Sequence, residues 1–193
     1  MESHLLANLY RLRYIERWSL MRNVMKENVA EHSFHVSVLT HCLCSIANVV
    51  FNKEVNTERA VTLSLFHDVT EVFTGDIPTP VKHHNRDILK NFRDIEELAA
   101  EKLTSQAPEE LREVYRDVIQ KQAEEELSRY IKAADLLDAY LKCATELSAG
   151  NREFVVAKKQ IEEKINSLNM PEVEYFLTHL APSFEKTLDE ISE

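Results

Sequence analysis

Glycine occurs only twice in the 193 residues and proline five times. That scarcity argues against a β-sandwich, a barrel or a Gly-rich nucleotide loop, and it favours helices joined by short connections. Cysteine is limited to Cys42, Cys44 and Cys143. Three cannot all pair within one chain, and Cys42 and Cys44 lie too close in a helical stretch to bridge each other. No disulfide framework is implied, and a reducing compartment fits. The N-terminal MESHLLANLYRLRYIERW carries charge in every turn and lacks the apolar core of a signal peptide. No run approaches the length of a membrane span. These absences lead to the expectation of a cytoplasmic protein with no membrane partner. Positive charge is also in deficit: 23 Lys and Arg against 33 Asp and Glu give a net charge of -10. A field of that sign repels a polyanion, so no nucleic-acid polymer is expected as a partner. A small anionic substrate stays compatible if a metal and a few basic groups reverse the potential locally.

Hydrophobic residues make up 44% and charged residues 29%, a balance that supports a packed core rather than disorder. The length suits one compact domain over 1–193. Apolar residues recur at three- and four-residue spacing nearly everywhere, which predicts an all-α fold. A first helix covers residues 3–14, and the chain then turns through 16–19. Asn28 with Glu31 three positions later forms a capping-box pair. The helix it opens carries Val29, Phe34, Val38, Leu39, Leu43, Ile46 and Val50 on its apolar side. Asn56-Thr57 caps the next, predicted through Ala60, Leu63 and Leu65-Phe66 to about Phe73. It is stopped by a breaker-rich loop at 74–80 holding Gly75, Pro78 and Pro80. Further helices are expected at 85–105, from Pro108, at 124–149 with Gly150 as C-cap, from Arg152, from Pro171 and from Pro182. No strict heptad persists, so a globular helical bundle is preferred to a coiled coil.

His67-Asp68 falls within an apolar stretch, Val61, Leu63, Leu65, Phe66 and Val69. Burying a carboxylate there is costly unless a cation or hydrogen bonds satisfy it. A metal resolves the cost, since imidazole and carboxylate both ligate first-row divalent ions. Glu71, four after His67 and three after Asp68, is predicted on the same helical face. The dipeptide alone is a weak signal, because Asp68 paired with a basic residue and His67 on a backbone hydrogen bond would also account for it. Two further segments add weight. Glu31-His32-Ser33 puts a histidine in the first turn of a helix. Asp135 stands among small residues, with Ile131 and Ala139 four positions either side, on an apolar stripe. Asp138, four before Lys142, reads instead as one half of an exposed ion pair.

EHS at 31–33, HDVTE at 67–71 and the AAD ending at Asp135 together match the H…HD…D pattern of the HD-domain phosphohydrolases. ERWSLMRNV at 16–24, ENVAEHS at 27–33, TGDIPTPVK at 74–82, DAYLKC at 138–143 and PSFEKTLDEIS at 182–192 resemble the bacterial 5′-deoxynucleotidases of that superfamily. The similarity covers nearly the whole chain. The resemblance implies a helical bundle of the HD type and one divalent ion (Co, Mn, Zn or Fe) held by His32, His67, Asp68 and Asp135. It implies hydrolysis of a deoxyribonucleoside 5′-monophosphate to deoxyribonucleoside and phosphate. It assigns Glu71 an orienting or proton-transferring role, Arg17 a phosphate contact and Trp18 a place against the deoxyribose. Asp76 would reach the sugar 3′-hydroxyl, Ile77, Pro78 and Thr79 would line the pocket, and the protein would be a homodimer.

Several residues carry no such reading. His35, three after His32, is expected to be a core or supporting histidine. His83-His84 are read as solvated, Cys42-x-Cys44 as helix packing, and Glu124-Glu125-Glu126 as charge at a helix N-terminus. Competing functions are a phosphodiesterase or nucleoside triphosphate hydrolase with the same metal ligands, and a non-catalytic helical binding protein. A dinuclear carboxylate oxidoreductase fits poorly, because repeated ExxH pairs are absent.

Overall fold

The computed structural model describes residues 2–82, 84–120 and 125–192, with the side chains of Thr79 and Pro80 left out. His83 and Glu124 therefore lie outside the described residues. Helices run through the rest: α1 (Leu5–Leu9), α2 (Val29–Val50), α3 (Thr57–Leu65), α4 (Glu71–Thr74), α5 (Thr79–Lys82), α6 (Arg86–Ser105), α7 (Arg112–Ile119), α8 (Glu125–Ser148), α9 (Val155–Ser167), α10 (Pro171–His179) and α11 (Leu188–Ser192). Short 3-10 segments follow α1, precede α7 and α9, and lie between α10 and α11. No strand occurs among the described residues; extended pairing is confined to an isolated antiparallel bridge between Glu16 and Asn28. None of the three cysteines is in a disulfide.

The capping signals operate as the chemistry requires. Asn28 Oδ1 accepts the Glu31 N–H at 3.0 Å while Glu31 accepts the Asn28 N–H at 3.1 Å, a reciprocal capping box. Asn56 and Asn85 cap α3 and α6 through bonds of 3.0 and 2.8 Å from residues three further on. Gly150 takes a left-handed φ of 84° just past α8, where a side chain would be strained.

The helix predicted from Asn56 to Phe73 is interrupted. It ends at Leu65, and residues 66–70 form turns before α4. The N–H groups of Val69, Glu71, Val72 and Phe73 bond carbonyls three residues back, at 3.0 to 3.4 Å. This is the tighter 3-10 pattern, and β-branched Val69 and Thr70 give the α-helix little local advantage there. His67 and Asp68 thus stand in a turn.

The chain divides into two compact units. One comprises Met1–Ser19, Lys26–Phe34 and Leu65–Gln122; the other comprises Leu20–Met25, His35–Ser64 and Ala123–Glu193. The core of the first unit is Leu5, Leu12, Val29, Val69, Leu103 and Ala107, with Phe66, Val72 and Tyr115 packed against it. Burying each large aliphatic side chain contributes roughly 1.5–3 kcal/mol. Phe66 meets Tyr115 edge-on, ring centroids 6.2 Å apart. The residues either side of His67-Asp68 are therefore core anchors, and they hold the turn in place.

In α2 the buried positions are Val29, His32, Ser33, Val36, Ser37, Leu39, Thr40, Leu43, Cys44, Ile46 and Ala47. Phe34, Val38 and Val50, expected on the apolar side, are exposed. A helix apolar around most of its circumference gives periodicity no single face to find. The expectation that no segment approaches a membrane span also needs correction here. At 22 residues, with a mean hydropathy of 1.4 over its most apolar window, α2 meets the length and composition of one. Half of that window is buried within the protein.

The second unit has α8 as its longest helix, packed with α9. Asp138 is buried rather than exposed, 6% accessible, with its Oδ1 3.5 Å from His35 Nδ1. Lys142 turns the other way, to Glu146. Both acids are four residues from Lys142, and Glu146 has the greater need of a cation because it is 1% accessible. Glu146 accepts hydrogen bonds from the Val24 and Met25 N–H groups at 2.9 and 3.1 Å and from Asn151 at 2.7 Å. It thereby fixes the stretch directly after Ser19.

Burial opposes ionisation of Glu146, but these donors and the Lys142 ammonium outweigh it and hold its pKa at about 2. A depressed pKa contributes stability that is present above the unfolded value of 4.5 and lost as pH falls towards 2. Glu146→Gln should cost about 1–3 kcal/mol at pH 7. The gap to wild type should close as pH drops through that window. Urea unfolding of both proteins at stepped pH tests this, and a gap independent of pH would rule out the charge as its source.

Candidate active site

The site in the first unit is built where two distant stretches of chain are clipped together. Around the Glu16–Asn28 bridge, the Arg17 N–H donates to the Glu27 carbonyl at 2.9 Å and the Val29 N–H to the Ile15 carbonyl at 3.0 Å. Arg17 is thus fixed beside the start of α2. The next residue, half-buried Trp18, has a φ of 55°. A bulky residue in the left-handed region costs about 1–3 kcal/mol and persists only where its surroundings over-determine it. The bridge supplies one constraint, and Asp76, which accepts a hydrogen bond from the Trp18 N–H, supplies another.

His32 enters from the first turn of α2 and is completely buried. Its Nε2 lies 3.3 Å from Asp68 Oδ2, and His67 Nε2 lies 3.1 Å from the same oxygen. The two rings are 5.2 Å apart between centroids. Two imidazole nitrogens and one carboxylate oxygen therefore converge on one point. Burial raises the pKa of Asp68, but the charges and hydrogen bonds of His67 and His32 reverse that and hold it well below the usual range. An ionised carboxylate flanked by two imidazoles is a donor set that fits a first-row divalent ion.

Glu71 opens α4, held by its N–H bond to the Asp68 carbonyl at 3.0 Å. Burial pushes its pKa up to about 9, aided by the negative charges of Asp68 and Asp76 and opposed by Arg17 and His32. Asp76 is also raised, chiefly by burial, with Arg17 the main opposing influence. The pKa of Asp68 is thus held low and that of Glu71 high, which drives neighbouring carboxyls of the site apart.

Of the sequence-derived candidates, Arg17, His32, His67, Asp68, Glu71 and Asp76 form this electrostatic cluster in the first unit, with Trp18 joined through its backbone. Ile77 and Pro78 follow Asp76, half-buried. The Thr79 side chain lies outside the described residues. Asp135 stands on α8 of the second unit, half-buried. His35, also assigned to that unit, has a side chain 54% accessible and faces Asp138, which sets it apart from a buried core histidine.

Sequence reasoning missed Glu27. Its Oε1 lies 3.3 Å from Arg17 Nε and 3.7 Å from His32 Nδ1. Its only sequence signal is its place just before the Asn28 cap. The contact to Arg17 depends on the bridge, which no periodicity reveals.

A family model described as 5′-deoxynucleotidase YfbR-like matches residues 4–184. A 5′-deoxynucleotidase of Vibrio vulnificus is 49% identical over 99% of this chain and 99% of its own length. One from Enterobacter sp. is 48% identical over 100% and 97%. Among solved structures, an HD-domain phosphohydrolase of Listeria innocua superposes with a TM-score of 0.80 at 25% identity, covering 93% of this chain and 87% of that one. The fold is shared with a cyanophage S-2L HD phosphohydrolase solved with dA and one catalytic zinc ion, TM-score 0.65 at 21% identity, covering 94% and 96%. With two imidazoles converging on the carboxylate of its His-Asp turn and near-complete matches to curated relatives, this chain belongs to the 5′-deoxynucleotidase YfbR-like family.

Proposed function

We propose that the protein is a metal-dependent 5′-deoxynucleotidase that hydrolyses deoxyribonucleoside 5′-monophosphates to deoxyribonucleoside and phosphate. The observation that carries this reading is the convergence of His32 Nε2 and His67 Nε2 on Asp68 Oδ2, beside Glu71 and the Arg17 guanidinium. Asp135 is the fourth ligand in this reading, on the strength of its place in the H…HD…D sequence pattern. A divalent ion bound there supplies Lewis acidity and a water whose pKa falls from about 15.7 towards neutrality. Zn, Mn, Co and Fe all suit nitrogen and oxygen ligands.

The chain's own residues do the rest. Phosphoryl transfer needs positioning and neutralisation of oxygen charge, and a planar guanidinium such as Arg17 matches a phosphate face. Water attacks phosphorus as the P–O5′ bond breaks, and the departing 5′-oxygen gains a proton. Glu71 is placed to orient the attacking water or to move that proton. Asp76 accepts from the sugar 3′-hydroxyl, and Ile77 and Pro78 line the sugar pocket. Trp18, held in a strained backbone, packs against C2′. A loose apolar pocket rejects an added hydroxyl only about 100-fold. A rigid ring does better by steric exclusion.

The protein is also read as cytoplasmic, without a nucleic-acid polymer as partner, and as a homodimer. Support for the dimer is the exposed pair Val38 and Val49 on α2, apolar surface that gains by being covered. Sedimentation velocity at micromolar concentration should give twice the chain's 22.4 kDa; a monomer alone removes the dimer.

Phosphate release should be abolished by chelation and restored by one or more of Zn, Mn, Co or Fe. It should occur with dAMP far more than with AMP, and not with cyclic nucleotides or triphosphates. In Trp18→Ala the dAMP-to-AMP ratio should fall about tenfold or more, and an unchanged ratio removes Trp18 from discrimination. Turnover of triphosphates or cyclic nucleotides in place of dAMP would favour the related hydrolase activities instead. Glu71→Ala should keep its metal yet lose about 100-fold or more in kcat, the usual scale of a proton-transfer residue. Turnover of dAMP at the wild-type rate would end that assignment.

A further inference from the structure

We propose that Glu27 is a positioning residue that locks the phosphate-facing Arg17 and the metal-binding His32 into one unit, an inference that rests on the metal-dependent reading above. A single oxygen, Oε1, is shared between them, 3.3 Å from Arg17 Nε and 3.7 Å from His32 Nδ1. All three side chains are largely withdrawn from water: 10% accessible for Glu27, 13% for Arg17 and 0% for His32. The main chain adds a tether, because the Glu27 carbonyl accepts the Arg17 N–H at 2.9 Å.

The two contacts do different work. A carboxylate facing Nδ1 favours the tautomer with its proton there when a metal is bound, which leaves the Nε2 lone pair for the ion. Such partners of ligating histidines orient the ring and raise its basicity, and their loss costs about 10–100-fold in metal affinity. On the other side, Glu27 engages Arg17 through Nε. Nε is the inner nitrogen of the guanidinium, and the other four of its five N–H donors are on the terminal Nη groups. Through one carboxylate, the spacing between the cation that meets the phosphate and the ligand that holds the metal is set before substrate arrives. A carboxylate present only to stabilise the fold would leave metal affinity and tautomer unmoved.

The test uses the full chain. Calorimetric titration of metal-free wild type and Glu27→Gln with Co²⁺ should show affinity lower by about 10–100-fold in the variant. At saturating Co²⁺, the variant's KM for dAMP should rise more than its kcat falls. In an Arg17→Ala background the same substitution should add little to KM, since the two act through one contact. Should Glu27→Gln fail to fold, Glu27→Asp, which draws the carboxylate back by one methylene, should show the same direction of loss. Equal Co²⁺ affinity in wild type and the folded variant overturns this inference alone. Wild type that binds neither Co²⁺ nor Zn²⁺ overturns the metal-dependent reading and this inference with it.

Discussion

The site depends on one carboxylate oxygen, Asp68 Oδ2, meeting two imidazole nitrogens at 3.1 and 3.3 Å. The imidazoles keep Asp68 ionised against its burial. Burial, with that negative charge and Asp76, raises the pKa of Glu71. A single charge placement therefore drives the pKa values of neighbouring carboxyls apart, which burial alone would not do. The convergence rests on Phe66 and Val69, which anchor the His-Asp turn in the apolar core of the first unit.

Around this point the backbone is held more tightly than helix packing requires. The Glu16–Asn28 bridge places Arg17 against Glu27, and Asp76 takes the Trp18 N–H. Trp18 stays in the left-handed region as a result. Strain held in Trp18, next to Arg17, marks a backbone that its surroundings over-determine. Glu146 extends the same control along the chain, fixing Val24 and Met25 through a buried charge.

Local signals were legible wherever the physics is local. Asn28 with Glu31, Asn56, Asn85 and Gly150 each mark a helix end by chemistry contained within a few residues, and each performs that role. Errors arose where a distant neighbour decides. The stretch around His67-Asp68 has apolar spacing suited to a helix, yet core anchoring of Phe66 and Val69 accompanies tight turns. Lys142 has an acid four residues to either side, and burial of Glu146 selects one of them. Phe34 and Val38 point outward from a helix whose composition offers more than one apolar face.

The sequence by itself determined the helical class and most helix ends, and it pointed to His32, His67, Asp68 and Glu71 by ligand type and spacing and to Arg17 and Asp76 through the family resemblance. Periodicity, capping and ligand type act over short spans or reside in residue identity. Only the tertiary structure decided that both histidines face the same oxygen, that burial and neighbouring charges raise the pKa of Glu71, and that Glu27 lies against both Arg17 and His32. Those depend on distances between segments far apart in the chain and on exclusion of water around them, quantities that a linear order of residues does not contain.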